Sequence, residues 1–227
     1  MRAANLRAAA KLRIGLSLAA QTLWKASCLG CRLGEPLTRY SMYRKICSQF
    51  AGQDLGDRIL SISYSRKLCH PLGAPDAAIA DANYPEHSIE KLNFDSNSFS
   101  AVVSDQVLEH VACTPSEAVN EVYRVLRPRG WAIHTTCFLT PYHGADDVSD
   151  LENGDFWRFT PSRLVRLHRN YSEIIAADGW GNPMMPLLGG LGLVRMPVPE
   201  SPWHPLNKLA RIERKSYAYV VWIIARK

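Results

Sequence analysis

Residues 94–111 read FDSNSFSAVVSDQVLEHV, and the reading of this stretch decides the fold. Asp95, Ser96, Asn97 and Ser98 form a turn cluster, since their short polar side chains bond back to the local backbone. Phe99–Ser104 is an apolar run too short for a helix and suited to a strand buried in a parallel sheet. Downstream, Ser116–Leu126 carries Ala118, Val119, Val122, Val125 and Leu126 on one helical face. Pro128-Arg-Gly130 reads as a stop and turn, and Trp131–Leu139 as another strand. Strand, helix and strand in this order make a βαβ unit with a right-handed crossover and parallel strands.

Working outward, Arg58–Ser63 and Ala77–Ala82 read as strands before this unit. Thr160-Pro161 reads as an N-cap and first helical residue after it. Residues 172–177 and 217–225 read as the last strands. Residues 183–215 are rich in Gly and Pro and read as a long insertion or lid with little regular structure. Near the N-terminus, Leu12, Leu16, Ala19 and Leu23 recur at helical spacing within 3–25. Gly30, Gly34 and Pro36 break this helix, and 37–51 reads as a second one. The layout expected is a basic helical arm over 1–52, then one α/β domain over 53–227 that contains the 183–215 insertion.

With 227 residues, 47% hydrophobic and 21% charged, the chain has the composition of a globular protein with one sizeable core. No apolar run reaches the roughly 18 residues of a membrane span. The net charge of +6 belongs to the arm. Arg2, Arg7, Lys11, Arg13, Lys25 and Arg32 stand there without an acid; removing these six from the 27 basic residues leaves 21 against 21 acidic ones. A domain so balanced is not expected to bind nucleic acid. For the arm two readings stay open: a solvated amphipathic helix packed on the domain, and a weak contact with an anionic membrane surface. The Arg- and Ala-rich arm is similar to a mitochondrial presequence, and Ile14–Ala20 is short for a secretory signal; cytoplasmic residence is the expectation. Cys28–Cys31 is a single C-x-x-C without the second close pair of a structural zinc site, so reduced thiols and no metal are expected.

Two longer motifs carry a resemblance. Leu92-Asn-Phe94-Asp-Ser-Asn-Ser-Phe99 continues through Ser104 to Leu108-Glu-His-Val111, and Glu121-Val-Tyr-Arg124-Val-Leu-Arg-Pro128-Arg-Gly130 follows it. In order and spacing they resemble the class I S-adenosylmethionine-dependent methyltransferases, specifically the type 11 methyltransferase domain. Pro141-Tyr-His143 and Asp155-Phe-Trp-Arg-Phe-Thr-Pro161 are similar to a subgroup signature. The resemblance covers residues 56–182 and the last strand. It implies a Rossmann-like, doubly wound, mostly parallel sheet with helices on both faces, and S-adenosylmethionine as cofactor at the carboxyl ends of the strands.

The departures lie in the cofactor loop. The family's D-x-G-x-G-x-G falls on Ser61, Ser63, Ser65 and Lys67, so the acid and all three glycines are replaced. Residues 68–91 leave only about half the length that the family uses for two helices and two strands, which implies an abbreviated first half. The cofactor-binding residues so implied are Ser61, Ser63, Ser65, Asp81 as the ribose acid, Ser88 at the adenine position, and Ser104, Asp105 and Gln106 after the strand Phe99–Ser104. Because imidazole titrates nearest neutrality, His143 and His110, with Asp155, are the candidates for proton removal from an acceptor. The function expected is methyl transfer to a small molecule or sugar hydroxyl, or alternatively a catalytically inactive protein of this fold acting as a binding or regulatory partner. Oligomeric state is not legible.

Overall fold

The computed structural model describes residues 2–145 and 154–227, and of residues 2–10 the backbone alone. The elements run α1 (Arg2–Ser27), β1 (Leu33–Pro36), α2 (Leu37–Phe50), β2 (Ile59–Ile62), α3 (Arg66–Cys69), β3 (Ile79–Ala82), β4 (Phe99–Asp105), α4 (Pro115–Val125), β5 (Leu126–Cys137), α5 (Pro161–Leu167), β6 (Glu173–Trp180), α6 (Met185–Gly190), β7 (Pro197–Pro199), α7 (Pro205–Arg211) and β8 (Val220–Arg226). They fall into two compact units, residues 43–179 with 220–227, and residues up to 42 with 180–219.

The first unit is built on a six-stranded sheet in the order β3-β2-β4-β5-β8-β6. β3 and β4 both pair parallel with β2, β5 pairs parallel with β4, and β8 runs antiparallel to β5. This is the doubly wound, mostly parallel architecture expected. Strand order reverses at β2, and the crevice between β2 and β4 is the switch point at which such sheets take ligands. Ile59, Leu60, Phe99, Val102, Ile133 and Trp222 are sealed from solvent, as a sheet covered on both faces requires. On α4 the buried residues are Ala118, Val119, Val122 and Val125, the predicted face. Thr160 Oγ1 accepts from Arg163 N at 3.1 Å and caps α5 as expected.

The two resemblance motifs meet physically. Arg124 donates to the carbonyls of Leu92 and Phe94 at 2.9 and 2.8 Å, while Glu121 Oε1 accepts from the Leu92 amide at 2.8 Å. The helix therefore clamps the segment that leads into β4.

Two elements differ from the sequence reading. Pro128-Arg-Gly130 does not end the chain direction; β5 runs through it, and the pairing with β4 slips register between Phe99 and Ala101. Gly130 permits this, because a Cβ there would lie 3.0 Å from the Ser100 carbonyl oxygen. Between Ala82 and Phe99 the chain forms one isolated bridge, Ser88 with Lys91, and no strand or α-helix. The abbreviation expected from chain length is thus the loss of a third strand and the helix before it.

In the second unit, 183–215 is more ordered than its composition implies. It holds α6 and α7 and the strand β7, which pairs antiparallel with β1. The prolines that read as breakers stand in the first turns of α6 and α7, where no amide donor is needed. The Asn207 side chain, fully buried, donates to Tyr40 Oη and the Pro199 carbonyl, each at 2.7 Å. α1 packs by Trp24, whose indole donates to Pro197 O at 2.8 Å, and by Ser17 to Leu191 O at 2.9 Å. The predicted stripe of Leu12, Leu16, Ala19 and Leu23 lies exposed instead. Among the described residues no helix is long and apolar enough to cross a membrane.

Candidate functional site

A cavity of about 710 Å³ opens beside the carboxyl ends of β2, β4 and β5. That volume lies in the range of small-molecule sites. Ser63, Tyr84, His87 and Ser88 line one side, and Gln106, His110 and His143 the other. Ser63 follows β2, Gln106 follows β4, and His143 comes six residues after the end of β5.

The loop after β2 takes left-handed torsions, which glycine adopts most readily, at residues that carry side chains. Ser63 and Tyr64 take φ of 50° and 64°, and Gln106, across the crevice, takes 60°. Such left-handed torsions cost a side-chain-bearing residue of order 1–3 kcal/mol and persist where surrounding structure imposes them. Here the imposing contacts are visible. The Ser63 amide donates to Ala82 O at 2.9 Å, and the Tyr64 amide to Asn83 Oδ1 at 2.8 Å. Ser65 Oγ donates to the Ile62 carbonyl and accepts from the Asp105 amide at 2.8 Å.

Of the cofactor-binding candidates, Ser63, Ser88 and Gln106 reach the cavity. Ser61, Ser65, Ser104 and Asp105 are buried behind it. The Ser104 hydroxyl meets His134 Nδ1 at 2.6 Å, and the Asp105 carboxylate accepts from Tyr43 Oη at 2.6 Å and Thr135 Oγ1 at 2.7 Å. Their side chains point into the packed layers because alternate residues of a strand face opposite sides. Ser61 Oγ is buried without a hydrogen-bond partner. Asp81 lies on β3 away from the cavity, with Oδ2 accepting from Arg66 Nε at 2.7 Å.

The proton-transfer candidates do come together. His110 and His143 stack edge to face at 5.1 Å between ring centroids. Nδ1 of His110 lies 2.6 Å from the Gly154 carbonyl oxygen, and Nδ1 of His143 lies 3.1 Å from Pro141 O and 3.2 Å from Asp155 Oδ2. These acceptors place the proton on Nδ1 in both rings and leave each Nε2 with its lone pair. Asp155 is itself fixed: it takes the His143 amide at 3.0 Å and both terminal nitrogens of Arg158, NH2 at 2.6 Å. Burial disfavours its charge, but the Arg158 guanidinium and the His143 amide outweigh that and hold Asp155 below the usual carboxylate range.

Two polar residues at the cavity were not among the sequence candidates. Glu109 is fully buried beside the histidines, accepting from Thr136 Oγ1 at 2.8 Å and Cys137 Sγ at 3.2 Å. Burial pushes its carboxyl up. His87 lines the cavity, stacks on Phe94 at 5.7 Å and holds Nδ1 buried without a partner.

With this geometry in view, residues 28–134 match the family model described as a methyltransferase domain. The match spans 28–134 and carries the chain through β5 as far as His134. Among solved structures the chain is similar to an S-adenosylmethionine-dependent methyltransferase from Mesorhizobium loti, with 14% identity over 83% of this chain and 97% of the other at a TM-score of 0.49. It is also similar to a SAM-dependent methyltransferase from Thermotoga maritima, with 14% identity over 82% and 89% at 0.46. A third is phosphoethanolamine N-methyltransferase 2 from Haemonchus contortus in complex with S-adenosyl-L-methionine, with 14% identity at 0.48, where 83% of this chain spans 52% of the other. No curated protein sequence matches the chain.

Proposed function

We propose that this methyltransferase domain transfers a methyl group from S-adenosylmethionine to a hydroxyl of a small molecule or sugar. The observation that carries the reading is the convergence on one cavity of the Ser63–Tyr64 loop, Gln106 and the His110–His143 pair. The residues present fit the cofactor. The loop has the left-handed turns that bring a backbone close to a ligand, and the buried unpartnered Nδ1 of His87 offers a polar group in the cavity wall. Ser63, Ser88, Gln106 and His87 would hold it, with Asp105 and Ser65 fixing the loop and strand end from behind.

S-adenosylmethionine supplies a methyl group already activated as a sulfonium, so the protein's task is positioning and proton management. A hydroxyl is a poor nucleophile until it loses its proton. His143 Nε2 takes that proton, and the resulting imidazolium is stabilised through Nδ1–H by Asp155, whose charge Arg158 maintains. His110, edge-on to His143, shapes the same wall.

Calorimetric titration with S-adenosylmethionine and with its demethylated product tests the reading. Micromolar affinity that falls at least about tenfold in Gln106→Ala supports it. Absence of heat and of thermal shift at millimolar ligand would overturn it in favour of an inactive binding partner.

A further inference from the structure

Glu109, His110 and His143 each offer one ligand atom, and these atoms lie within 4.8 Å of one another. We infer that these three side chains form a binding site for one divalent transition metal, of zinc or cobalt type, in the wall of the cavity. Two imidazoles and one carboxylate are the donor set of catalytic zinc sites that keep an open coordination position. The donors lie somewhat wider than the roughly 3.3 Å of a tetrahedral site, so they would draw in around the ion.

The surroundings of the three donors match those of metal ligands. Metal-binding imidazoles donate their other ring N–H to a carbonyl or carboxylate, which fixes ring and tautomer. Both histidines do so here, His110 to Gly154 O and His143 to Pro141 O and Asp155 Oδ2. The Nε2 atoms are left as ligand atoms. Glu109 is oriented by Thr136 Oγ1 and, in the amide orientation that satisfies both ends of Gln106, by that side chain at 3.2 Å. Among the described residues no lysine or arginine forms an ion pair with the fully buried Glu109; Arg158, within its electrostatic reach, is bonded to Asp155 instead. Burying a carboxylate unpaired is costly, and an ion between the three donors removes the cost.

Because His110 and His143 line the cavity and Glu109 lies behind them, the open position of the metal faces the cavity. A metal there acidifies a bound hydroxyl and takes over the proton-removing role assigned above to His143. That consequence rests on the methyl-transfer reading; binding of the metal does not.

The test is titration of the untagged, full-length protein with Co²⁺, followed by visible absorption, and with Zn²⁺ by calorimetry, without S-adenosylmethionine. One equivalent should bind with cobalt bands of nitrogen and oxygen ligation and without a thiolate charge-transfer band. His143→Gln and His110→Gln should each weaken binding by at least about 10–100-fold, while the double variant C28S/C31S binds as the parent does. The cobalt spectrum of the parent decides the matter even if a histidine variant fails to fold. No binding at millimolar metal, a thiolate spectrum, or binding lost in C28S/C31S would overturn the inference. A protein that binds metal but not S-adenosylmethionine would retain this site and lose the reading of function above.

Discussion

The Tyr43 hydroxyl donates to Asp105 Oδ2 across 2.6 Å inside the sheet unit, with Thr135 Oγ1 on the other carboxylate oxygen. The Asp105 amide in turn holds Ser65 Oγ, so one buried aspartate joins the loop after β2 to the end of β4. Tyr43→Phe leaves Oδ2 short of this donor without changing shape. The expected loss is about 1–3 kcal/mol of stability, read as a lower urea midpoint with an unchanged slope.

Tyr64 is mostly exposed, so its ring contributes little packing, yet its backbone is left-handed at 64°. Tyr64→Gly removes the clash between Cβ and backbone, and the gain exceeds the extra chain entropy of glycine. The variant should be more stable by about 1 kcal/mol in urea unfolding. A loss of stability would show that the loop is held by the ring and not by the Asn83 bond.

Acid should unfold the domain through two histidines remote from the cavity. His134 is fully buried, and burial, with help from the neighbouring His168, pushes it well below its ordinary value; burial pushes His168 down to about 4. Both are neutral when folded, so the unfolded chain binds more protons. Their stabilisation is present above about pH 6.5 and is lost as pH falls toward their folded values. For His168 the loss is up to about 3 kcal/mol. Urea midpoints at pH 7, 5.5 and 4.5 should fall steeply, and less steeply in His168→Phe.

In the proposed reaction Asp155 acts through His143. Asp155→Asn keeps the shape but offers Nδ1 a donor or an acceptor with equal ease, and it loosens the Arg158 clamp. Nitrogen-15 spectra should show His143 passing from one tautomer to a mixture. Methyl transfer to an acceptor, and cobalt affinity, should fall by about 10–100-fold. An unchanged tautomer would mean that the Pro141 carbonyl alone fixes the ring.

The parallel sheet was legible because its evidence is local. FSAVV, the α4 face and Thr160-Pro161 each announce their element through composition and spacing, and the described strands β2 to β5 follow. What failed depends on distant partners. Gly130 reads as a turn until the approach of Ser100 is known. Pro186 and Pro205 read as breakers until the helices they open are seen. The stripe of leucines on α1 predicts a buried face, and burial went to Trp24 instead. His110 and His143 were legible as imidazoles on the ligand face, whereas Glu109 was not, because full burial beside two imidazoles is a property of the assembled β4–β5 end.

The Ser63–Tyr64 turn is bent from outside. Its curvature comes from hydrogen bonds supplied by Ala82 and Asn83, not from the freedom of its own residues. A turn can therefore hold left-handed torsions where no glycine stands. A search for glycines alone overlooks the loop after β2, whereas its torsion angles mark it.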